Sequence, residues 1–512
     1  MVLSAGGRYS CLAVMTRRDF AALGLGTSLA ACAGSSSAGR RPNILILMSD
    51  NHSWNHLGCY GDPVVQTPNI DGVAERGVRF TNAYCSAPSC TPARASMLTG
   101  QDIWRLEEGA NLWGILPKKF GGYPEELEAA GYLVGFEGKG WGPGSYEAAG
   151  RARNPAGDQY ESFGEFLAAR AADQPFCYWF SSRDPHRPYD SAAEQAASVD
   201  RSKIAVPAYL PDHPDVRRDM ADYYGEVQKF DGDVGRFLGE LEASGQAENT
   251  LVIVASDNGW QMPRGLANLY DFGTRVPLIA AWPGHIPGPR VVDDFVSLND
   301  LAPTFLELAG RPVPEAMTAQ SLLPLFESPA EGRIDADRNF VVTARERHAF
   351  VRKGGGGYGG RALRTDRFLY IRNYEPDAWP AGDPPFFGDV DAHQLHYPSP
   401  TKLLILENRR EPEYGRFFAL GFAKRPAEEL YDLRIDVDQL DNVAEDPAYR
   451  DDKQALSAQL TNYLKRTGDP RETGEPMRWE GAEYFSKRDL TPKPSEEAIE
   501  RLGLEGPYSY VD

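Results

Sequence analysis

Residues 89–100 (Ser89, Cys90, Thr91, Pro92, Ala93, Arg94, Ala95, Ser96, Met97, Leu98, Thr99, Gly100) concentrate the chemistry of this 512-residue chain. Taken alone, Cys90 is a buried apolar residue, a disulfide partner or a thiolate nucleophile. Pro92 suits the first turn of a helix, where its missing N–H costs nothing. Residues 93–98 are mostly good helix formers. Cys90 then lies at a helix N-terminus, where backbone N–H groups and the dipole favour an anion. Arg94 follows one turn later and returns to the same face. An N-capped helix carrying an inert cysteine remains the plain alternative at this point.

Two further pairs, Asp50-Asn51 and Asp257-Asn258, offer oxygen ligands. Hard divalent cations such as Ca²⁺ take carboxylate, amide and water oxygens. Histidine or cysteine clusters with zinc spacing are absent, which disfavours zinc. Each pair closes a continuous apolar run, 42–48 and 250–255, of the kind buried on both faces of a parallel sheet. Open α/β sheets bind ligands at the carboxyl ends of such strands, so the two pairs are expected to converge. Residues 132–136, 175–180 and 278–282 read as further strands, 216–244 as a long helix and 296–309 as a shorter one. This alternation predicts an α/β fold. Beyond about residue 340 the texture changes. Four glycines at 354–357 make a loop, 368–371 a strand, 376–430 lacks periodicity and 451–465 reads as an amphipathic helix. The expected organisation is 1–39 leader and tether, 40–360 catalytic domain, 361–512 a smaller α+β domain.

The net charge of −19 argues against nucleic-acid partners and requires a locally basic pocket for any anionic substrate. Six cysteines are too few for a disulfide scaffold; Cys59, Cys85 and Cys177 are expected as buried free thiols. Thr16, Arg17, Arg18, Asp19 and Phe20 look like a twin-arginine export signal. The short apolar run 21–31 ends in Leu29, Ala30, Ala31 and Cys32, which resembles a bacterial lipobox. Cys32 is therefore the expected lipidation site, 34–39 a flexible tether, and Met15 an alternative start. A periplasmic or cell-surface location, reached by the twin-arginine machinery with a lipid anchor as the only membrane attachment, follows.

The spacing of Cys90, Pro92 and Arg94 resembles the signature of the type I sulfatases, in which that cysteine is oxidised after synthesis to formylglycine. The resemblance runs through most of the chain: Asn43, Ile44 and Leu45 up to Asp50; Cys59-Tyr60-Gly61; Thr67 to Asp71; Arg79 to Tyr84; Gly138-Lys139; Asp184-Pro185-His186-Arg187-Pro188; Thr274 to Leu278; Glu429 to Leu433; and Asp441 to Val443. It implies an alkaline-phosphatase-like sandwich, with a large mixed, mostly parallel sheet between helices and a short antiparallel sheet in the C-terminal domain. It implies Ca²⁺ held by Asp50, Asn51, residue 90, Asp257 and Asn258. Arg94 and Lys139 are implied at the sulfuryl oxygens and His186 at the leaving group. A formylglycine-generating enzyme is implied as a maturation partner.

Departures exist. Asn51 stands where the family often has aspartate, Trp141 where many members have histidine, and Leu266 where many have a basic residue. Arg264 is a candidate for that last role. Within the family, residues 184–188 and 268–270 look most like the N-sulfoglucosamine sulfohydrolases, which act on heparan-type sugars. Arg345 and His348 are candidates to face a sulfated sugar; His52 and His56 are candidates to line the pocket or to pack. Two other functions stay open. One is a phosphatase or phosphonate hydrolase of the same superfamily, though its usual Thr, Ser or histidine-rich zinc set is missing. The other is a catalytically silent glycan-binding lipoprotein.

Overall fold

A computed structural model describes residues 41–391 and 393–511. The export signal, the lipobox with Cys32 and the tether lie outside the described residues. β1 (Asn43–Ser49) is buried along its whole length. Its side chains alternate between two cores: Ile44, Ile46 and Met48 enter one, Leu45 and Leu47 the other. A strand with apolar side chains on both faces belongs at the centre of a covered sheet. The sheet that forms has eight strands in the order β4-β3-β5-β1-β6-β7-β2-β8. Its other members are β2 (Val78–Tyr84), β3 (Leu133–Gly138), β4 (Asp158–Gln159), β5 (Phe176–Ser181), β6 (Thr250–Ser256), β7 (Leu278–Ala281) and β8 (Arg290–Ser297). Every neighbouring pair is parallel except those made by β7 with β6 and β2. The predicted mixed, mostly parallel sheet is the one observed.

Register decides what happens at the strand ends. Ser49 pairs with Ser256 across β1 and β6, Met48 with Ser181 across β1 and β5, and Gly138 with Ser181 across β3 and β5. Four neighbouring strands thus stop at one level, and residues 50, 139, 182 and 257 emerge side by side. The helix Pro214–Ala243 covers one face, burying Val216, Met220, Tyr223, Val227, Phe230, Val234, Phe237 and Leu241 at helical spacing. Burial of that stripe, more than intrinsic propensity, is what holds a 30-residue helix in place.

A second, antiparallel sheet has the order β12-β11-β10-β9, from β9 (Phe340–Arg345), β10 (Gly360–Thr365), β11 (Phe368–Asn373) and β12 (Glu428–Asp432). The helix Arg450–Thr467 packs Leu456, Leu460 and Leu464 with Leu363, Tyr370 and Leu430. β9 lies ahead of the expected boundary at residue 360, because its Val342 and Ala344 complete this core. The segment without periodicity crosses back: Phe387, Val390, Leu404, Ile405, Phe417 and Phe422 join the second core of the large sheet. Residues 290–297, whose end was expected to open a helix, form β8, and the helix starts only at Leu301. Among the described residues no helix is long and apolar enough to cross a membrane.

Candidate active site

The helix Cys90–Thr99 begins where the sequence places it, with Ser89 extended before it and Gly100 closing it at φ 65°. All ten of its residues are buried, so its N-terminus faces the strand ends, not solvent. Cys90 Sγ lies 3.4 Å from Asp50 Oδ1, 3.7 Å from Asn51 Oδ1 and 3.8 Å from Asn258 Nδ2. Burial, with Asp50 and Asp257 beside it, pushes the encoded thiol up and away from thiolate formation.

Asn51 adopts φ 67°, a left-handed conformation that asparagine tolerates better than most residues. This turn lets its backbone N–H donate to Asp257 Oδ1 at 3.1 Å. Ligand atoms of Asp50, Cys90 and Asp257 all lie within 4.8 Å of one another. Asn258 Oδ1 is buried with no hydrogen-bond partner. A buried acceptor left unpaired beside two carboxylates fits a hard cation. Asp50, Asn51, Asp257 and Asn258, with residue 90, are the groups that could hold one.

Arg94 and Lys139 supply the positive charge. Arg94 is fully buried; its Nε donates to Asp257 Oδ2 at 2.8 Å, its Nη1 to the Gly140 carbonyl at 2.7 Å and to Ser181 Oγ. Lys139 Nζ meets Asp50 Oδ2 at 2.5 Å. Burial would raise the Asp50 carboxyl, but Lys139 and Arg94 outweigh it and hold it well below the usual range. Burial would lower the Lys139 ammonium, and Asp50 outweighs that. Burial, reinforced by Asp50, raises Asp257. Lys139 reaches this position because Gly138 turns the chain at φ 85°, where a Cβ would stand 2.2 Å from the Ser181 carbonyl oxygen. His186 Nδ1 donates to the Arg187 carbonyl oxygen, and burial lowers its imidazolium.

These residues open into one cavity of about 770 Å³, lined among others by Asp50, Cys90, Lys139, His186, Leu266 and His348. Two expected substrate contacts turn elsewhere. Arg264 is buried, donates to the carbonyls of Leu420 and Gln439 and stacks on Tyr270. Arg345 pairs with Asp389 at 2.6 Å and donates to the Pro380 carbonyl. Neither lines the cavity, so the position of Leu266 is not covered by a neighbouring arginine. His52 and His56 are core residues: His52 Nε2 meets the His56 carbonyl and His56 Nδ1 the Tyr223 hydroxyl. Trp141 is buried in the core beneath the site. Cys59, Cys85 and Cys177 are free, with Cys59 only half-buried.

Three contributors escaped the sequence. Ser181 ends a parallel strand, and strand-end position alone would have flagged it. Gln261 fixes the site from behind, accepting from Asn51 Nδ2 at 3.4 Å and from the Arg187 N–H at 3.0 Å. His393 lines the cavity from the segment without periodicity, where no sequence signal marked it.

A family model described as Sulfatase matches residues 42–159 and 156–311, and one described as N-sulphoglucosamine sulphohydrolase, C-terminal, matches 264–379. The chain belongs to the sulfatase family, the sulfuric ester hydrolases. An ulvan-active sulfatase of Formosa agariphila is 27% identical over 483 residues, covering 84% of this chain and 76% of its own. The N-sulphoglucosamine sulphohydrolase of Homo sapiens is 28% identical over 481 residues, covering 84% of this chain and 91% of its own. A solved structure of a protein in complex with its substrate D-glucosamine-2-N,6-O-disulfate shares the fold, with a TM-score of 0.62 at 19% identity, covering 85% of this chain and 100% of that one.

Proposed function

We propose that this protein removes sulfate from sulfated sugars, with N-sulfated glucosamine of heparan type as the preferred substrate, after Cys90 has been oxidised to formylglycine and with Ca²⁺ bound. The observation that carries this is the position of Cys90: a buried residue at a helix N-terminus, between two strand-end aspartates, with Arg94 and Lys139 on the same carboxylates. The match to the sulphohydrolase C-terminal model and the human relative support the N-sulfate preference.

The hydrated aldehyde supplies an oxygen nucleophile, and a second hydroxyl to release the transferred sulfate, which a thiol or serine lacks. Asp50, Asn51, Asp257 and Asn258 would hold Ca²⁺, which supplies Lewis-acid stabilisation of that oxygen and of the sulfuryl group. Arg94 and Lys139 present fixed positive charge to the sulfuryl oxygens; both are locked before substrate arrives, so little reorganisation is needed. His186 donates its Nδ1–H to a carbonyl, so Nε2 can protonate the leaving oxygen or nitrogen only as the imidazolium, which burial opposes and the nearby Asp50 favours. Export by the twin-arginine route and anchoring through Cys32 belong to the same proposal. Loss of membrane association in a Cys32→Ala variant tests the anchor.

The decisive assay follows sulfate release from glucosamine N-sulfate and glucosamine 6-O-sulfate, and phenol release from a phenyl ester of methylphosphonate, by protein matured with a formylglycine-generating enzyme. Turnover of a sulfated sugar that EDTA abolishes and Ca²⁺ restores, and that Cys90→Ala lacks, is expected. Cleavage of the phosphonate alone would overturn the substrate assignment. A Cys90→Ala variant with full activity would overturn the nucleophile.

A further inference from the structure

His348 sits on the cavity wall beside the nucleophile helix, and its two ring nitrogens differ. Nδ1 is 2.9 Å from Ser89 Oγ. Ser89 precedes the helix, yet its hydroxyl makes no capping bond to it; the usual capping residue is spent on the imidazole instead. Nε2 is buried and has no partner, although His348 is only 2% exposed. A buried polar nitrogen in a native site normally finds a partner, and the cavity is where one can arrive.

A second imidazole backs the first. The rings of His348 and His393 stack with centroids 5.6 Å apart and planes at 22°; His393 is 6.3 Å from His186. The irregular segment carrying His393 is held by buried ionic contacts. Lys402 Nζ donates to the carbonyls of Phe387, Val390 and His393 at 2.9, 2.7 and 2.8 Å. Asp389 pairs with Arg345 and Arg352, and Asp391 with Arg187. These contacts engage Arg187, Arg345 and Arg352, so none of these three guanidinium groups is free to meet an anion. Burial keeps His348 near 4 and therefore neutral at pH 7.

We propose that His348 is a specificity-determining residue whose Nε2 hydrogen-bonds an uncharged hydroxyl of the sugar that bears the sulfate, with His393 fixing the ring from behind. The proposal rests on the sulfated-sugar function above and refines it: the sugar presents a free hydroxyl, not a second sulfate, to this wall. A neutral imidazole matches a hydroxyl and brings no charge of its own to a sulfate.

The test compares kcat/KM for glucosamine N-sulfate with that for 4-nitrophenyl sulfate, which has no sugar hydroxyl. Asparagine at 348 keeps a polar atom for Ser89 and loses the one in the cavity; glutamine reaches the cavity position. The ratio of sugar to aryl turnover is expected to fall about tenfold or more in His348→Asn, chiefly through KM, and to return to within about threefold of wild type in His348→Gln. An equal loss on both substrates, an unchanged ratio, or a wild type that cleaves only the aryl sulfate would overturn the proposal. A wild type inactive on every sulfate ester and sulfamate would instead remove the sulfatase function on which it rests.

Discussion

Arg94 has no exposed surface and reaches both strand-end aspartates, Asp257 at 2.8 Å and Asp50 at 3.9 Å, and the Gly140 carbonyl. Removing one member of a buried charge cluster leaves the others uncompensated, at about 3–5 kcal/mol. Arg94→Ala is therefore expected to lower the thermal midpoint strongly and to abolish sulfate release. Arg94→Lys keeps the charge but not the fork that reaches a carboxylate and a carbonyl together, so it should fold with reduced stability and still lose most turnover. Calorimetry and the sulfate assay check both. At this scale, legibility followed locality. Cys90, Arg94, Asp50 and Asp257 could be read because helix start and strand end fix where they point. Arg264 and Arg345 could not, because the groups that claim them, the Leu420 and Gln439 carbonyls and Asp389, are far away in sequence.

The segment leading to the helix Pro400–Glu407 completes the cavity wall with His393 and Tyr397. Nothing periodic marked it, since its fold is set by buried charges reaching in from other elements. Lys402 carries most of that burden. Burial lowers its ammonium to about 7, and it donates to three carbonyls of the segment at once. Lys402→Met removes the donor and leaves the Val390 and His393 carbonyls unpaired, while the Phe387 carbonyl keeps the Val390 N–H, a loss on the order of 3 kcal/mol. Hydrogen exchange over residues 385–399 is expected to accelerate in that variant while β1 and β6 stay protected. Equal acceleration everywhere would mean that Lys402 supports the whole fold and not this wall. The strands, by contrast, were legible as elements because a continuous apolar run bounded by polar residues has one stable home, the middle of a covered parallel sheet.

Across the whole molecule, Asp102 ties the segment after the nucleophile helix to the helix that covers the second sheet. Its Oδ2 accepts from the Tyr463 hydroxyl at 3.2 Å, and next to it Trp104 Nε1 meets Thr467 Oγ1 at 3.2 Å. Burial raises Asp102 to about 6. A carboxyl raised in the fold contributes stability below its unfolded value near 4 and loses it as pH rises through about 6. Asp102→Asn should thus match wild type at pH 4 and exceed it above pH 6, by up to about 3 kcal/mol. Urea titrations at a series of pH values read this directly; an advantage that shrinks as pH rises would contradict it. The same junction carries one core across the expected boundary at residue 360. Val342 and Ala344 of β9, Leu363 of β10 and Trp104 share one core, and composition alone does not show which sheet a short apolar strand will join.

The proposed sulfate release passes through the oxidation of Cys90, and one mass spectrum tests it. Trypsin releases residues 80–94 as a peptide holding both Cys85 and Cys90. From protein co-expressed with a formylglycine-generating enzyme, that peptide is expected to lose about 18 Da at Cys90 alone, as thiol becomes aldehyde, with Cys85 still alkylated. A peptide alkylated at both cysteines despite an active maturation enzyme would contradict the sulfatase mechanism and return Cys90 to the status of a buried thiol.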